Sequence, residues 1–343
     1  MSFTYLRRTF AACALLLGIA VALPAMAQQP SRVNPTADSV KEQQLLDALK
    51  PGGHQSLEGR VSIPDHRSAT LIQPEGRDWV VWREKTLPRL GAGVIVGMIV
   101  LLLAFFAVKG RIKVDDGLSG RQIQRFNSVE RFGHWMTATA FIVLALSGLN
   151  VTYGRQFLLP ILGADAFTLV SQWAKYLHNY MSFAFVLGLI MMFLQWVVYN
   201  LPMPNDFRWI AQGGGIIGKK HPPAGKFNAG QKVVFWVTIV GGVLLSATGY
   251  ALMFPFYSAP SNIPDYTSTI AGLQSVSMWH GIIAVVMIAV ILAHIYIGTL
   301  GMQGAFWSMG TGKVDVNWAK QHHSIWAAKV IPKDVQGKPT PAE

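Results

Sequence analysis

Four histidines stand in stretches that otherwise carry no charge: His134, His178, His280 and His294. Each lies within or at the edge of an apolar run, where an ionisable side chain is costly and marks a functional site. One such histidine alone would read as a hydrogen-bonding residue at a helix interface. Four with related spacings need a shared explanation. His280 and His294 are fourteen residues apart. On a helix that separation is roughly 21 Å along the axis, and fourteen steps of about 100° leave the two side chains within about 40° of one face. One helix would present two imidazoles in the same direction, one near each membrane surface.

The elements that must carry these histidines follow from composition. Of 343 residues, 51% are hydrophobic and only 13% charged, about half the charged share of a soluble domain. This excludes a disordered or fibrous protein and points to a polytopic membrane protein. Five uncharged stretches approach the roughly 20 residues a bilayer requires: Leu90–Val108, Trp135–Val151, Tyr176–Tyr199, Val233–Phe254 and Val276–Met302. The fold class expected is an all-α integral membrane protein, with a four-helix bundle and one additional N-terminal transmembrane helix.

The formal charge of +12 is not spread as a nucleic-acid-binding face would be. Six basic residues fall in 109–131, five in 200–232 and five after residue 302, against two in 154–177 and none in 255–275. This alternation is the positive-inside pattern and places those three basic segments in the cytoplasm. Arg83, Lys85 and Arg89 lie on the opposite side of the first span, but long translocated segments tolerate such charge.

Before the spans, residues 1–27 read as a secretory signal. Arg7 and Arg8 form its basic start, Ala11 to Leu23 its apolar body, and Ala25-Met26-Ala27 a small-x-small cleavage site. Residues 28–88 are polar and broken by Pro and Gly, as expected of a periplasmic segment with little core of its own; His54 and His66 within it read as solvent-exposed. The further division expected is 89–109 for the additional span, 110–327 for the four-helix domain and 328–343 for a cytoplasmic tail. The lone cysteine, Cys13, lies in the signal. Cys-ligated iron–sulfur clusters, covalently attached c-type haem and thiol catalysis by the chain itself are thereby excluded.

Depth assigns the histidines to pairs. His134 opens the second span on the cytoplasmic side and so meets His294; His178 opens the third on the outer side and so meets His280. Two imidazoles facing one another suit the axial positions of a low-spin b-type haem, closing its coordination sphere in favour of electron transfer. Two such groups, roughly 20 Å apart, would carry electrons across the bilayer. A proton relay and simple packing histidines are the alternatives. Gly133, Gly148, Gly249 and Gly281 would leave room for macrocycle edges.

Three motifs resemble a known family. They are Arg125-Phe126 with Glu130-Arg131-Phe132-Gly133-His134-Trp135 and Ala145-Leu146-Ser147-Gly148, then Phe227-Asn228-Ala229-Gly230-Gln231-Lys232, then Trp318-Ala319-Lys320-Gln321-His322-His323. Together, over about 120–327, they resemble the γ, cytochrome b subunit of respiratory formate dehydrogenase. The resemblance implies a four-helix core holding two haems b on His134, His178, His280 and His294. It also implies a quinone site at Asn228, Gly230 and Gln231, adjoining His294. Read alone, Asn-Ala-Gly-Gln is a helix-start turn capped by Asn228, although its amides could also hydrogen-bond a quinone carbonyl. His322 and His323 are expected at the surface or against another subunit, and His221 as a structural or exposed loop residue.

The function implied is electron transfer from an iron–sulfur β subunit to menaquinone or ubiquinone, in the inner membrane of an anaerobically respiring bacterium. Formate oxidation would belong to a molybdenum or tungsten α subunit, since this chain has no site for it. The partners expected are those subunits, quinone and membrane lipid, and no nucleic acid. The same scaffold could serve a hydrogenase or another oxidoreductase. A haem-free anchor or transporter is the rival from another class, disfavoured because the spans hold no Asp, Glu or Lys for ion coupling. The added span of 90–108 would pack on the core or dock a partner subunit.

Overall fold

The computed structural model describes residues 76–215, 221–256 and 269–331. The expected signal over 1–27, most of the 28–88 segment with His54 and His66, Lys219, Lys220 and the end of the 328–343 tail lie outside the described residues. The chain divides after Glu84 into two units. Of the first, the described part is a short helix, α1 (Gly76–Val81), and the residues just after it, with the Arg83 guanidinium 5.3 Å over the Trp79 ring.

The second unit is built from long helices. They are α2 (Leu87–Lys109), α3 (Ser128–Phe157), α4 (Leu159–Trp196), α6 (Ala229–Met253) and α7 (Ile270–Tyr296), with a short α5 (Pro204–Ala211) between α4 and α6. Among the described residues, five helical segments are long and apolar enough to cross a membrane. Their starts are chemically marked. Asn127 and Glu130 form a capping box at α3, as do Asn228 and Gln231 at α6, and the Thr269 hydroxyl caps α7. Pro88 occupies the first turn of α2, where its missing N–H is no loss.

Residues 154–177 do not form the outer loop expected between the second and third spans. α3 runs to Phe157, α4 begins at Leu159, and the chain reverses around Leu158 to Gly163, whose φ of +75° only glycine adopts readily. Beyond Gly163 the stretch carries good helix formers and no proline, so the helix resumes there and continues to Trp196. Trp173 and Tyr176 therefore sit on an exposed helical face.

The bundle core interleaves Phe141, Phe185, Leu189, Ile239 and Met287 from α3, α4, α6 and α7. Small residues set the closest approaches: a Cβ on Gly188 would meet the Thr137 backbone, and one on Gly242 the Leu189 side chain. This is how membrane helices pack when lipid provides no hydrophobic contrast. α2 lies against α7, with Phe105 and Phe106 meeting the Tyr296 ring edge-on at 6.3 and 6.4 Å. The Tyr153 hydroxyl of α3 donates to the Pro88 carbonyl, 2.7 Å away. Leu90, Val96, Leu101 and Leu103 of α2 are exposed, as a lipid-facing surface should be. The added span thus packs on the core.

The three basic segments meet at one end. The strands β1 (Gln122–Gln124) and β2 (Lys313–Asp315) pair antiparallel, and Ile112 bridges to Met302. The short helices α8 (Trp307–Gly310), α9 (Val316–His322) and α10 (Ser324–Val330) complete a lobe whose core is Ile112, Val114, Val314, Trp318 and Ala327. The loop before α6 joins it where the Ile325 N–H donates to the Ala224 carbonyl, at 3.0 Å.

Candidate functional site

The bundle brings the four histidines together in two pairs. His134 of α3 and His294 of α7 have ring centroids 6.2 Å apart; His178 of α4 and His280 of α7, 6.3 Å. A metal–imidazole bond of about 2.0 Å, plus about 1.1 Å from nitrogen to ring centre, puts two rings on opposite sides of one ion about 6.2 Å apart. Both separations therefore fit one iron between two imidazoles. No cluster of three or more metal-ligating side chains occurs among the described residues, so the pairs stand apart from a closed structural metal site.

Which nitrogen each ring offers follows from its neighbours. His178 Nδ1 lies 2.8 Å from Ser147 Oγ. That hydroxyl also lies 2.7 Å from the Val143 carbonyl and 3.1 Å from the Leu144 carbonyl; with its one hydrogen given to either, it accepts from Nδ1–H. Thr248 Oγ1 stands 2.9 Å from His280 Nδ1 and donates to the Leu244 carbonyl at 2.7 Å, so the same reasoning applies. In that arrangement both rings carry the proton on Nδ1, and Nε2 keeps the lone pair a metal needs. Neither Ser147 nor Thr248 is among the positioning residues the sequence leads one to expect. Their signal was present, since each is followed by glycine, Gly148 and Gly249, facing the imidazole it serves.

The other two glycines expected to clear a macrocycle do different work. A Cβ on Gly133 would meet Met191 and Gln195 across the α3–α4 contact, and one on Gly281 would meet Leu87 of α2.

The His134–His294 pair opens into a cavity of about 620 Å³ that reaches the basic end. Asn228, Gly230 and Gln231 line it, as do His221, His322 and His323. Asn228 Oδ1 accepts from the Gln231 N–H and Gln231 Oε1 from the Asn228 N–H, so the capping reading of this turn holds. With those carbonyl oxygens engaged, the side-chain amide N–H groups are what the turn can offer a ligand. Trp209 of α5 covers Gly230, whose Cβ would stand 3.2 Å from the indole.

His322 and His323 are not surface residues: they are 8% and 1% exposed. Asp315 caps α9 by accepting from the Asn317 N–H, which tucks the end of that helix beneath the 221–227 loop. There His323 Nδ1 donates to the Gly225 carbonyl at 2.7 Å. Burial pushes both imidazoles down, His322 to about 4, helped by the nearby His221 and Arg125. His221 is half-buried, its Nε2 2.8 Å from an Asp115 carboxylate oxygen.

Residues of the three sequence motifs converge here. Phe126, Trp196 and Phe227 form a triangle of rings with centroids 5.4–5.6 Å apart. Glu130 accepts from Lys226 Nζ at 2.6 Å and Trp196 Nε1 at 2.9 Å. Arg125 is buried between the Phe126 and Trp318 rings, 5.0 and 5.1 Å from their centroids. Burial lowers its pKa to about 9 while the Glu130 charge opposes the shift, so the guanidinium is charged at neutral pH.

Comparison with known proteins agrees with this architecture. A family model described as prokaryotic cytochrome b561 matches residues 125–312. The chain is similar to the formate dehydrogenase cytochrome b556(fdo) subunit of Escherichia coli K12, 32% identical over 210 residues, which is 61% of this chain and 93% of that protein. It is 28% identical over 216 residues to the nitrate-inducible cytochrome b556(Fdn) subunit of the same organism, covering 61% and 92%. With the formate dehydrogenase cytochrome b556 subunit of Haemophilus influenzae it shares 29% over 218 residues, covering 60% and 82%.

Proposed function

The chain belongs to the prokaryotic cytochrome b561 family, and from that premise we propose that it is the membrane subunit of a formate dehydrogenase complex, conducting electrons from an iron–sulfur partner to quinone. It is a multi-pass membrane cytochrome b that binds haem b and transfers electrons. The finer reading is that it holds two haems b, one on His178 and His280 and one on His134 and His294. The observation that carries it is the pair of ring separations, 6.2 and 6.3 Å, each the width of one bis-imidazole iron.

Haem b, when bound, supplies one-electron transfer at a potential tuned by its surroundings. The chain's own residues do the rest. Ser147 and Thr248 keep His178 and His280 in the ligating tautomer. α7 fixes the spacing of the two sites at fourteen residues, about 21 Å. Asn228 and Gln231 present amide donors to a quinone carbonyl beside His294, and Gly230 allows close approach. The His178–His280 site faces the periplasm and accepts electrons from the iron–sulfur subunit; a molybdenum or tungsten subunit oxidises formate. Quinone, as menaquinone or ubiquinone, is reduced at the cytoplasmic side of the inner membrane. The chain then divides as a signal over 1–27, a periplasmic segment to 88, an added span to 109, the haem domain to 327 and a cytoplasmic tail.

The test is haem b per polypeptide in the purified protein, for wild type and for His280→Ala and His294→Ala. The reading expects two haems, each substitution removing a spectrally distinct one. One haem in wild type, or two in either variant, refutes it.

A further inference from the structure

At the basic end of the cavity, four buried nitrogens have no hydrogen-bond partner among the described residues: Arg125 Nε, Trp318 Nε1, His322 Nε2 and His323 Nε2. The other three side chains surround the Trp318 ring, with the guanidinium 5.1 Å from its centroid and each imidazole 5.2 Å. All four residues are under 9% exposed, and all line the cavity shared with His134 and His294. Burying a polar group without a partner costs about 1–3 kcal/mol, so several at one point mark a place where a ligand completes the bonding.

The ligand's sign follows from the charges. Arg125 donates to Ser308 Oγ, the Lys226 carbonyl and Gln231 Oε1, all neutral acceptors. The nearby carboxylate, Glu130, has its oxygens engaged by Lys226 Nζ, Trp196 Nε1 and the Asn127 N–H. A buried guanidinium without a hydrogen-bonded carboxylate is rarely retained, because an unpaired charge in a low-dielectric interior is costly. Nε–H of Arg125 and Nε1–H of Trp318 are both donors without an acceptor. The site is built for a planar anion such as a carboxylate.

We propose that Arg125 and Trp318 bind a carboxylate side chain of the haem held by His134 and His294. The inference rests on the two-haem reading above. Haem b carries two carboxylates, and the cavity holding the two imidazoles is also lined by Arg125 and Trp318. Anchoring there fixes the haem's rotation in its pocket. It would also hold a positive charge in the cavity that houses the haem, which favours the reduced form.

The experiment uses the intact complex in native membranes, with Arg125→Gln, Arg125→Lys, Trp318→Phe and His294→Ala. Redox titration gives each haem's midpoint potential, the inner one being the component that His294→Ala removes. Redox-difference infrared spectra with ¹³C-labelled haem carboxylates report the carboxylates directly. Arg125→Gln should lower the inner potential and shift the labelled bands, leaving the outer potential unchanged. Arg125→Lys should keep the potential nearer wild type while still shifting the bands. Trp318→Phe keeps the ring packing and should shift the bands alone, which decides the matter if Arg125→Gln does not assemble. Labelled bands unmoved in both Arg125→Gln and Trp318→Phe overturn the proposal, and if phosphate or anionic lipid then lowers the inner potential of wild type but not of Arg125→Gln, the site belongs to those anions instead. A wild type without the component that His294→Ala removes fails the two-haem reading itself.

Discussion

The Ser147 hydroxyl oxygen lies 2.8 Å from His178 Nδ1, and Thr248 repeats the relationship at 2.9 Å from His280 on another pair of helices. Each hydroxyl precedes a glycine that packs under the same imidazole. Two helices thus use the same two-residue device, a hydroxyl that orients the ring and a glycine that makes room for it. With its one hydrogen given to a carbonyl a turn earlier, each hydroxyl accepts from the ring.

Ser147→Ala and Thr248→Ala should therefore weaken haem retention at the His178–His280 site and leave the other site intact. Loss of such an orienting partner typically costs 10–100-fold in metal affinity. Haem content after dilution in detergent, resolved by the low-temperature absorption bands, measures it. Unchanged retention in the double variant would show that the hydroxyls do not control these rings.

Asn228 serves both a cap and, in the proposed function, a quinone. The two roles separate by substitution. Asn228→Ser keeps a good cap but removes the amide N–H groups. It should leave thermal stability within a few tenths of a kcal/mol while raising KM for quinone. Asn228→Ala should lower stability by about 1 kcal/mol as well. A serine variant that reduces quinone like wild type would confine Asn228 to capping.

Gly188 is where α4 meets the Thr137 backbone of α3. Gly188→Ala should destabilise the bundle by about 1–3 kcal/mol, the usual cost of overpacking, and, on the proposed two-haem reading, shift both haem spectra because α3 and α4 each carry a proposed ligand. A melting temperature in detergent equal to wild type would contradict that close approach.

His322 supplies a pH dependence. Burial holds its folded pKa at about 4, against about 6.5 for an unfolded imidazole. Between these values the unfolded chain binds the proton and the folded chain does not, so stability rises with pH across that window. Stability should fall as the pH drops from about 6.5 towards 4, and His322→Gln should flatten the slope. A slope unchanged by the substitution would place the proton uptake elsewhere.

Much of this was legible from local sequence. The spans follow from uninterrupted apolar composition, and the shared face of His280 and His294 from helical periodicity within one segment. The grouping of 109–131, 200–232 and the residues after 302 at one end follows from alternating charge. The helix starts at Asn127 and Asn228 are capping chemistry within four residues.

What only the tertiary structure decided depends on contacts between distant segments. Ser147 and Thr248 reach histidines 31 and 32 residues away on other helices. The reversal around Leu158 to Gly163 hides in a stretch whose composition suits either loop or helix. Arg125, His322 and His323 look like solvated charge by composition, yet the lobe closes over them when β1 meets β2 and the 221–227 loop meets α10. Hydropathy reads each residue against its neighbours in the chain; burial of a charge is settled by which segments fold across it. That is why the histidine pairs could be anticipated from depth, while the buried guanidinium lining their cavity could not.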